Sequence, residues 1–217
     1  MASGATSAAA ATRTSPAVTH TSPAQAAAPS PHEPRFDAGR ICLDLLATAH
    51  PEERLGSIER LRAWCAAAGL VPPDTPLSAA EPSWLAAFRE LRLRVDELVR
   101  GELDGRYAGG ALERVNALAR WAPPAPRAVR AEDGTLVRAL HDDPGCTALL
   151  AAVARDAVEL LTDPVARARL RRCEGDNCPL IYLDTSRGRR RRWCSSEACG
   201  NRERVARHRR RAALARA

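Results

Sequence analysis

Four cysteines near the C-terminus are the residues best placed to do chemistry. Two Cys-x4-Cys pairs, Cys173/Cys178 and Cys194/Cys199, are separated by 15 residues in a chain of 217. Thiolates are soft ligands, and four of them meet the tetrahedral preference of Zn²⁺. Each short pair can wrap one side of an ion, and the spacer lets the chain return with the second pair. With all four positions filled by protein, the ion is structural rather than catalytic. One structural zinc held by Cys173, Cys178, Cys194 and Cys199 is the expectation. An iron–sulfur cluster uses the same ligand set and is the alternative.

The spacer must bring the pairs together. Leu180 to Leu183 read as a short strand, Asp184 to Gly188 as a turn, and Arg189 to Trp193 as the returning strand, with Tyr182 and Trp193 covering one face. The second pair opens a helix running from about Glu197 to Ala213, with Gly200 where the backbone passes close to the ion. This order of knuckle, hairpin and helix is treble-clef-like.

Arginines follow the cysteines. All 33 basic residues are arginine, and the formal net charge is +7. Residues 167 to 217 hold 16 Arg against five acids, whereas residues 1 to 166 hold 17 Arg against 21 acids. A basic end on a mildly acidic body suits a polyanion. The closing helix has only Val205 and Leu214 as sizeable apolar residues, so it has no face to bury. Arg202, Arg204, Arg207, Arg209, Arg210 and Arg211 on this helix, with Arg189, Arg190, Arg191 and Arg192 on the hairpin, are the candidate nucleic-acid contacts, since phosphates reward each neutralised charge by counterion release. A solubilising tail is the competing reading.

Upstream, residues 1 to 34 are Ala, Ser, Thr and Pro with scattered charges, too little apolar bulk to offset ordering entropy, which predicts disorder. Residues 35 to 165 read as a helical domain and 166 to 217 as the zinc module. Ile41 to Leu46 predict a buried helix. Ser57 predicts an N-cap and Gly69 a stop for the next, and Ser83 the cap of a long amphipathic helix through Val99 whose charged face is expected in solvent. Residues 108 to 121 and 145 to 162 predict two more helices, with Asp133-Gly134 as a hairpin turn between them. A short helix is expected from Pro164 into Arg171. The fold class is mainly α with a small β-hairpin.

Enzyme signatures are missing: no nucleophile elbow, glycine-rich phosphate loop or H-E-x-x-H occurs. The His141 to Asp143 loop and Asp44 are what an enzymatic reading of the body would rest on. Seven cysteines without a secretory leader point to a reducing cytoplasm rather than a disulfide framework. No apolar run is long enough to span a membrane.

Cys199-Gly200-Asn201-Arg202, preceded by Arg192-Trp193-Cys194-Ser195, resembles the CGNR zinc-finger family. Gly39, Arg40, Leu43 and Asp44 resemble the opening of the ABATE domain that accompanies it. The family is described as stress-induced transcription regulators, so the resemblance implies DNA binding through the zinc module, with an N-terminal domain that senses an unknown small-molecule effector or mediates homodimer formation. A ligand pocket at Arg40 and Asp44 is one such expectation. Arg204 stands close to where family members often carry a lysine, which keeps the charge. DNA is the expected partner, and structured or ribosomal RNA the alternative.

Overall fold

The computed structural model describes residues 36–216; the 1–34 segment expected to be disordered lies outside the described residues. Seven α-helices and two antiparallel two-stranded hairpins are formed among the described residues, in the order α1 (Ile41–Ala47), α2 (Ile58–Ala67), α3 (Pro82–Asp104), α4 (Gly109–Ala119), β1 (Pro126–Arg130), β2 (Leu136–Leu140), α5 (Cys146–Thr162), α6 (Pro164–Arg167), β3 (Leu170–Arg172), β4 (Ile181–Leu183) and, after one π-helical turn at Ser196–Gly200, α7 (Asn201–Leu214). No described helix is long and apolar enough to cross a membrane.

Local chemistry explains most boundaries. The Ser57 hydroxyl accepts the Arg60 N–H at 3.3 Å to open α2, and Gly69 leaves the turn with φ +70°, a left-handed conformation that glycine adopts without strain. Ser83 does not cap α3. Glu81 takes the N-cap position and Pro82 opens the helix, where its missing N–H costs nothing; the Ser83 hydroxyl donates to the Glu81 carboxylate at 2.6 Å. The Asp133 carboxylate accepts the Thr135 N–H at 2.9 Å across the β1–β2 turn, and Gly134 there has φ +82°.

The core is built from the apolar stripes of the longer helices. Trp84, Phe88, Leu91, Val95 and Val99 of α3 and Leu149, Val153, Ala157 and Leu160 of α5 recur at helical spacing and are buried together. Trp64 of α2 meets Phe88 edge-to-face at 6.0 Å between ring centroids. Helix α1 is buried over nearly its whole length and packs against α3, α5 and β4.

The charged face of α3 departs from expectation at Arg92. Arg94–Glu97 and Arg100–Asp96 are surface pairs one turn apart. Arg92 is buried instead, donating to the Thr48 hydroxyl at 2.8 Å and gripping both oxygens of the Glu53 carboxylate. That two-pronged grip holds the Glu53 carboxyl below its ordinary range and ties α3 to the loop after α1.

The C-terminal hairpin uses a different partner strand from the one expected. Ile181–Leu183 pairs with Leu170–Arg172, with Arg172 opposite Ile181, so the chain turns into a strand at Leu170 instead of continuing as a helix through Arg171. The ladder continues as the Cys173 N–H donates to the Leu180 carbonyl at 2.9 Å. Cys173 and Cys178 therefore flank the turn of the hairpin. Arg189 to Trp193 forms no strand; it lies alongside, with the Glu174 N–H donating to the Arg192 carbonyl at 2.9 Å.

This module shares its core with the helical domain. Leu170, Leu180, Ile181, Tyr182 and Leu183 belong to the same continuous cluster of buried apolar side chains as α1. The Leu183 N–H donates to the Ala38 carbonyl at 2.8 Å. Gly39, with φ +84°, sits so close to β4 that an added Cβ would lie 3.3 Å from the Leu183 Cβ. Arg172–Asp104 and Arg167–Glu102 pairs bridge to the end of α3.

Asp44 lies behind this joint, buried, its Oδ1 accepting the Ala38 N–H at 3.0 Å. Burial pushes its carboxyl up to about 7 against that hydrogen bond, and the Asp37 and Asp156 carboxylates add to the rise. Below pH 7 the folded chain keeps this proton, whereas the unfolded chain loses it near the ordinary value of 3.8. Stability from this group is therefore fullest at acid pH and falls as pH rises from about 4 to 7. Asp44→Asn, which retains an acceptor but no charge, is expected to remove that fall, gaining on wild type by up to about 1.4 kcal/mol per pH unit across the window. Urea unfolding of both chains from pH 5 to 8 checks this; parallel profiles would refute it.

Candidate metal centre and arginine surface

The four sulfur atoms of Cys173, Cys178, Cys194 and Cys199 all lie within 4.8 Å of one another. A tetrahedral zinc with Zn–S bonds of about 2.3 Å sets its sulfurs about 3.8 Å apart. The Cys178–Cys194 and Cys194–Cys199 separations of 3.8 and 3.6 Å match that edge. The cysteines are also close enough to disturb one another's ionisation. Cys194 is pushed far up by its hydrogen bond with Cys178, by burial and by neighbouring thiolates, while the same bond lowers Cys178. A bound cation would hold all four as thiolates, because it offsets their mutual repulsion. The donor set fits one structural zinc ion, and no other group of three or more metal-ligating side chains gathers among the described residues.

Each pair has its own local support. The first lies in the β3–β4 turn, where the Gly175 and Cys194 N–H groups donate to the Cys173 sulfur at 3.4 and 3.3 Å. Nothing in the sequence pattern singles out Gly175, yet a Cβ there would sit 3.1 Å from the Cys199 Cβ and 3.2 Å from its sulfur. Gly200, the position expected to pass close to the ion, has an ordinary φ of −62°, and an added Cβ there would meet the Ser195 carbonyl oxygen at 3.5 Å and the Trp193 ring at 3.7 Å. The second pair is set by Ser195, whose hydroxyl accepts the Glu197 and Ala198 N–H groups at 3.2 and 3.3 Å, starting the π turn that carries Cys199 into α7.

The ten candidate arginines divide by what they touch. Arg191 is committed to the protein: its guanidinium lies 4.5 Å from the centre of the buried Tyr182 ring, and it donates to the carbonyls of Trp193 at 2.9 Å, Asp37 at 2.8 Å and Cys194. Arg192 pairs with Glu174 and lies over Trp193. Arg202 donates to the Cys199 sulfur at 2.9 Å, and Arg204 to the Asn201 side-chain oxygen. Arg210 meets Glu203 at 3.7 Å. Arg189, Arg190, Arg207, Arg209 and Arg211 are exposed, and no side-chain hydrogen bond or ion pair engages their guanidinium groups among the described residues. Nothing in a run of four arginines marks Arg191 as the one turned inward; its partners include a segment far along the chain.

Helix α7 buries no residue, and among the described residues its main packing is against the π turn that precedes it. At the start of the π turn, an open hollow of about 440 Å³ is lined by Asp37, Arg190, Arg192, Trp193 and Ser195 among others. Arg40 and Asp44 do not line it. Arg40 pairs with Asp156 at 2.8 Å and Glu159 at 3.2 Å, and Asp44 accepts from Ala38, so both are occupied by protein partners. In the His141 to Asp143 loop, Asp143 accepts the Ser78 N–H at 2.7 Å, a structural role.

Comparison with known proteins agrees with this geometry. A family model named ABATE, described as "Putative stress-induced transcription regulator", matches residues 39–164, and a CGNR zinc-finger model matches residues 169–212. Neither description names an enzymatic activity. No curated protein matches the chain. With more than half of its length covered by the first model, the chain belongs to the ABATE family and carries a C-terminal CGNR zinc finger.

Proposed function

We propose that the chain is a transcription regulator that binds duplex DNA through its zinc finger, with residues 35–165 as the sensing or self-associating domain, 166–217 as the binding domain, and the cytoplasm as its place of work. In this reading Cys173, Cys178, Cys194 and Cys199 ligate the zinc. The observation that carries it is α7: 14 residues, none buried, with six arginines against one acid. An isolated helix of that length is marginal in water, and like charges weaken it further. The zinc-held π turn supplies its nucleus, and phosphates supply the partner that Arg207, Arg209 and Arg211 lack among the described residues. A helix about 21 Å long is of a size that the major groove admits. Arg189, Arg190, Arg207, Arg209 and Arg211 contact phosphates in this reading, and Arg204 is next in reach.

RNA offers the same phosphates, and direct competition decides between the two. Zinc-loaded full-length chain is titrated with a labelled mixed-sequence DNA duplex, with unlabelled DNA or structured RNA as competitor at about 0.15 M salt. Duplex DNA is expected to compete better, with affinity falling steeply as salt rises. Stronger competition by RNA overturns the DNA assignment, and salt-independent binding overturns the arginine surface.

A further inference from the structure

We propose that Arg202 is a metal-site residue that shields the zinc-bound thiolate of Cys199, rather than a nucleic-acid contact. The proposal rests on zinc occupying the four-cysteine cluster, not on the chain binding nucleic acid.

A zinc ion with four thiolates carries a net charge of −2, and hydrogen bonds to the sulfurs spread that charge and lower their nucleophilicity. The donors are unevenly shared. Cys173 receives two backbone N–H groups, from Gly175 and Cys194. Cys199 receives no backbone donor among the described residues; its donor from outside the cluster is the Arg202 guanidinium, at 2.9 Å. Arg202 is also the one arginine among the described residues that donates to a sulfur of the cluster. The geometry follows from the helix start. The π turn ends at Gly200, and Arg202 stands three residues beyond Cys199, so a side chain leaning toward the helix N-terminus reaches back over the metal. The Cys199 sulfur end of this charge-assisted bond is buried, at 1% exposed, while the Arg202 side chain reaches it from an exposed helix position. Arg207, Arg209 and Arg211, further along α7, face no such acceptor.

Arg202→Met removes the donor while keeping much of the side chain. Zinc transfer from the full-length chain to a chromophoric chelator is expected to quicken by about 10–100-fold. Alkylation by iodoacetamide, mapped by mass spectrometry, is expected to rise first at Cys199 and not at Cys173, whose backbone donors are intact. Arg209→Met, on the same helix, should release zinc at the wild-type rate. If Arg202→Met does not fold, Arg202→Lys decides: with an unchanged circular dichroism spectrum it must still release zinc faster than wild type, because one ammonium donor replaces the planar fork. Release at the wild-type rate by whichever variant folds overturns the proposal. So does a freshly purified wild-type chain that holds no zinc.

Discussion

Removing the zinc is expected to unfold the C-terminal module and abolish nucleic-acid binding, while most of the helical signal survives. A structural zinc contributes roughly 10–16 kcal/mol in small domains, far more than the three-residue pairing of β3 and β4 provides. Without the ion, the turn between Cys173 and Cys178 loses its clasp, the π turn loses its anchor at Cys199, and α7 loses its nucleus. The helical domain keeps its own core around Trp64, Phe88, Leu149 and Leu160. The loss should not stop at Cys173, however, because β4 lies against α1 and bonds to Ala38. Hydrogen exchange with and without chelator checks this. Protection should vanish from 170–214, weaken over 38–47 and hold in α3 and α5. Unchanged exchange in 170–214 would mean that the metal does not hold the module. Cys194→Ser should reproduce the chelated state, since it removes a buried thiolate.

Neutralising the five unengaged arginines should have the second largest effect. Replacing Arg189, Arg190, Arg207, Arg209 and Arg211 together by alanine is expected to flatten the salt dependence of DNA binding. The slope of log K against log salt should shrink by about 0.9 for each phosphate that is no longer neutralised, up to about 4.5 units for all five. Alanine suits the exposed helix positions of Arg207, Arg209 and Arg211, and Arg189 and Arg190 are exposed loop residues whose side chains hold nothing in place among the described residues, so the module should remain folded and zinc-loaded. Arg191→Ala should behave in the opposite manner. It removes the guanidinium over Tyr182 and leaves the Trp193, Asp37 and Cys194 carbonyls without their donor, a loss of about 2–4 kcal/mol in stability, with little change in salt slope for the molecules that stay folded. Thermal melts and salt titrations on the two variants separate the roles. If Arg191→Ala reduced the slope and left the melting temperature unchanged, the division of the arginines would be wrong.

Patterns confined to one element are legible in the sequence. The stripes of α3 and α5 declare themselves over 23 and 17 residues, Ser57 and Gly69 punctuate α2, and Asp133-Gly134 marks its turn. The metal cluster is equally plain, because thiolates at that spacing have few other uses. Shorter elements are not. A three-residue strand carries no periodicity, so nothing local distinguishes Leu170–Arg172 from the end of a helix or bars Arg189–Trp193 from pairing with β4. That pairing depends on the turn that the first two cysteines close.

What the sequence by itself determined was therefore the inventory: a helical domain, four thiolates for one zinc, and a basic end with no apolar face of its own. Tertiary structure decided how that inventory is used. Identical side chains in one run were sorted by neighbours up to about 150 residues away, so that Arg191 became a brace on Asp37, Arg202 a partner of Cys199, and Arg207, Arg209 and Arg211 stayed in solvent. Gly175, inconspicuous in the chain, proved to be the position where a side chain would crowd the metal site. Composition sets how much charge there is; whether a guanidinium is spent inside or offered outside depends on which carbonyls and sulfurs the fold brings within reach.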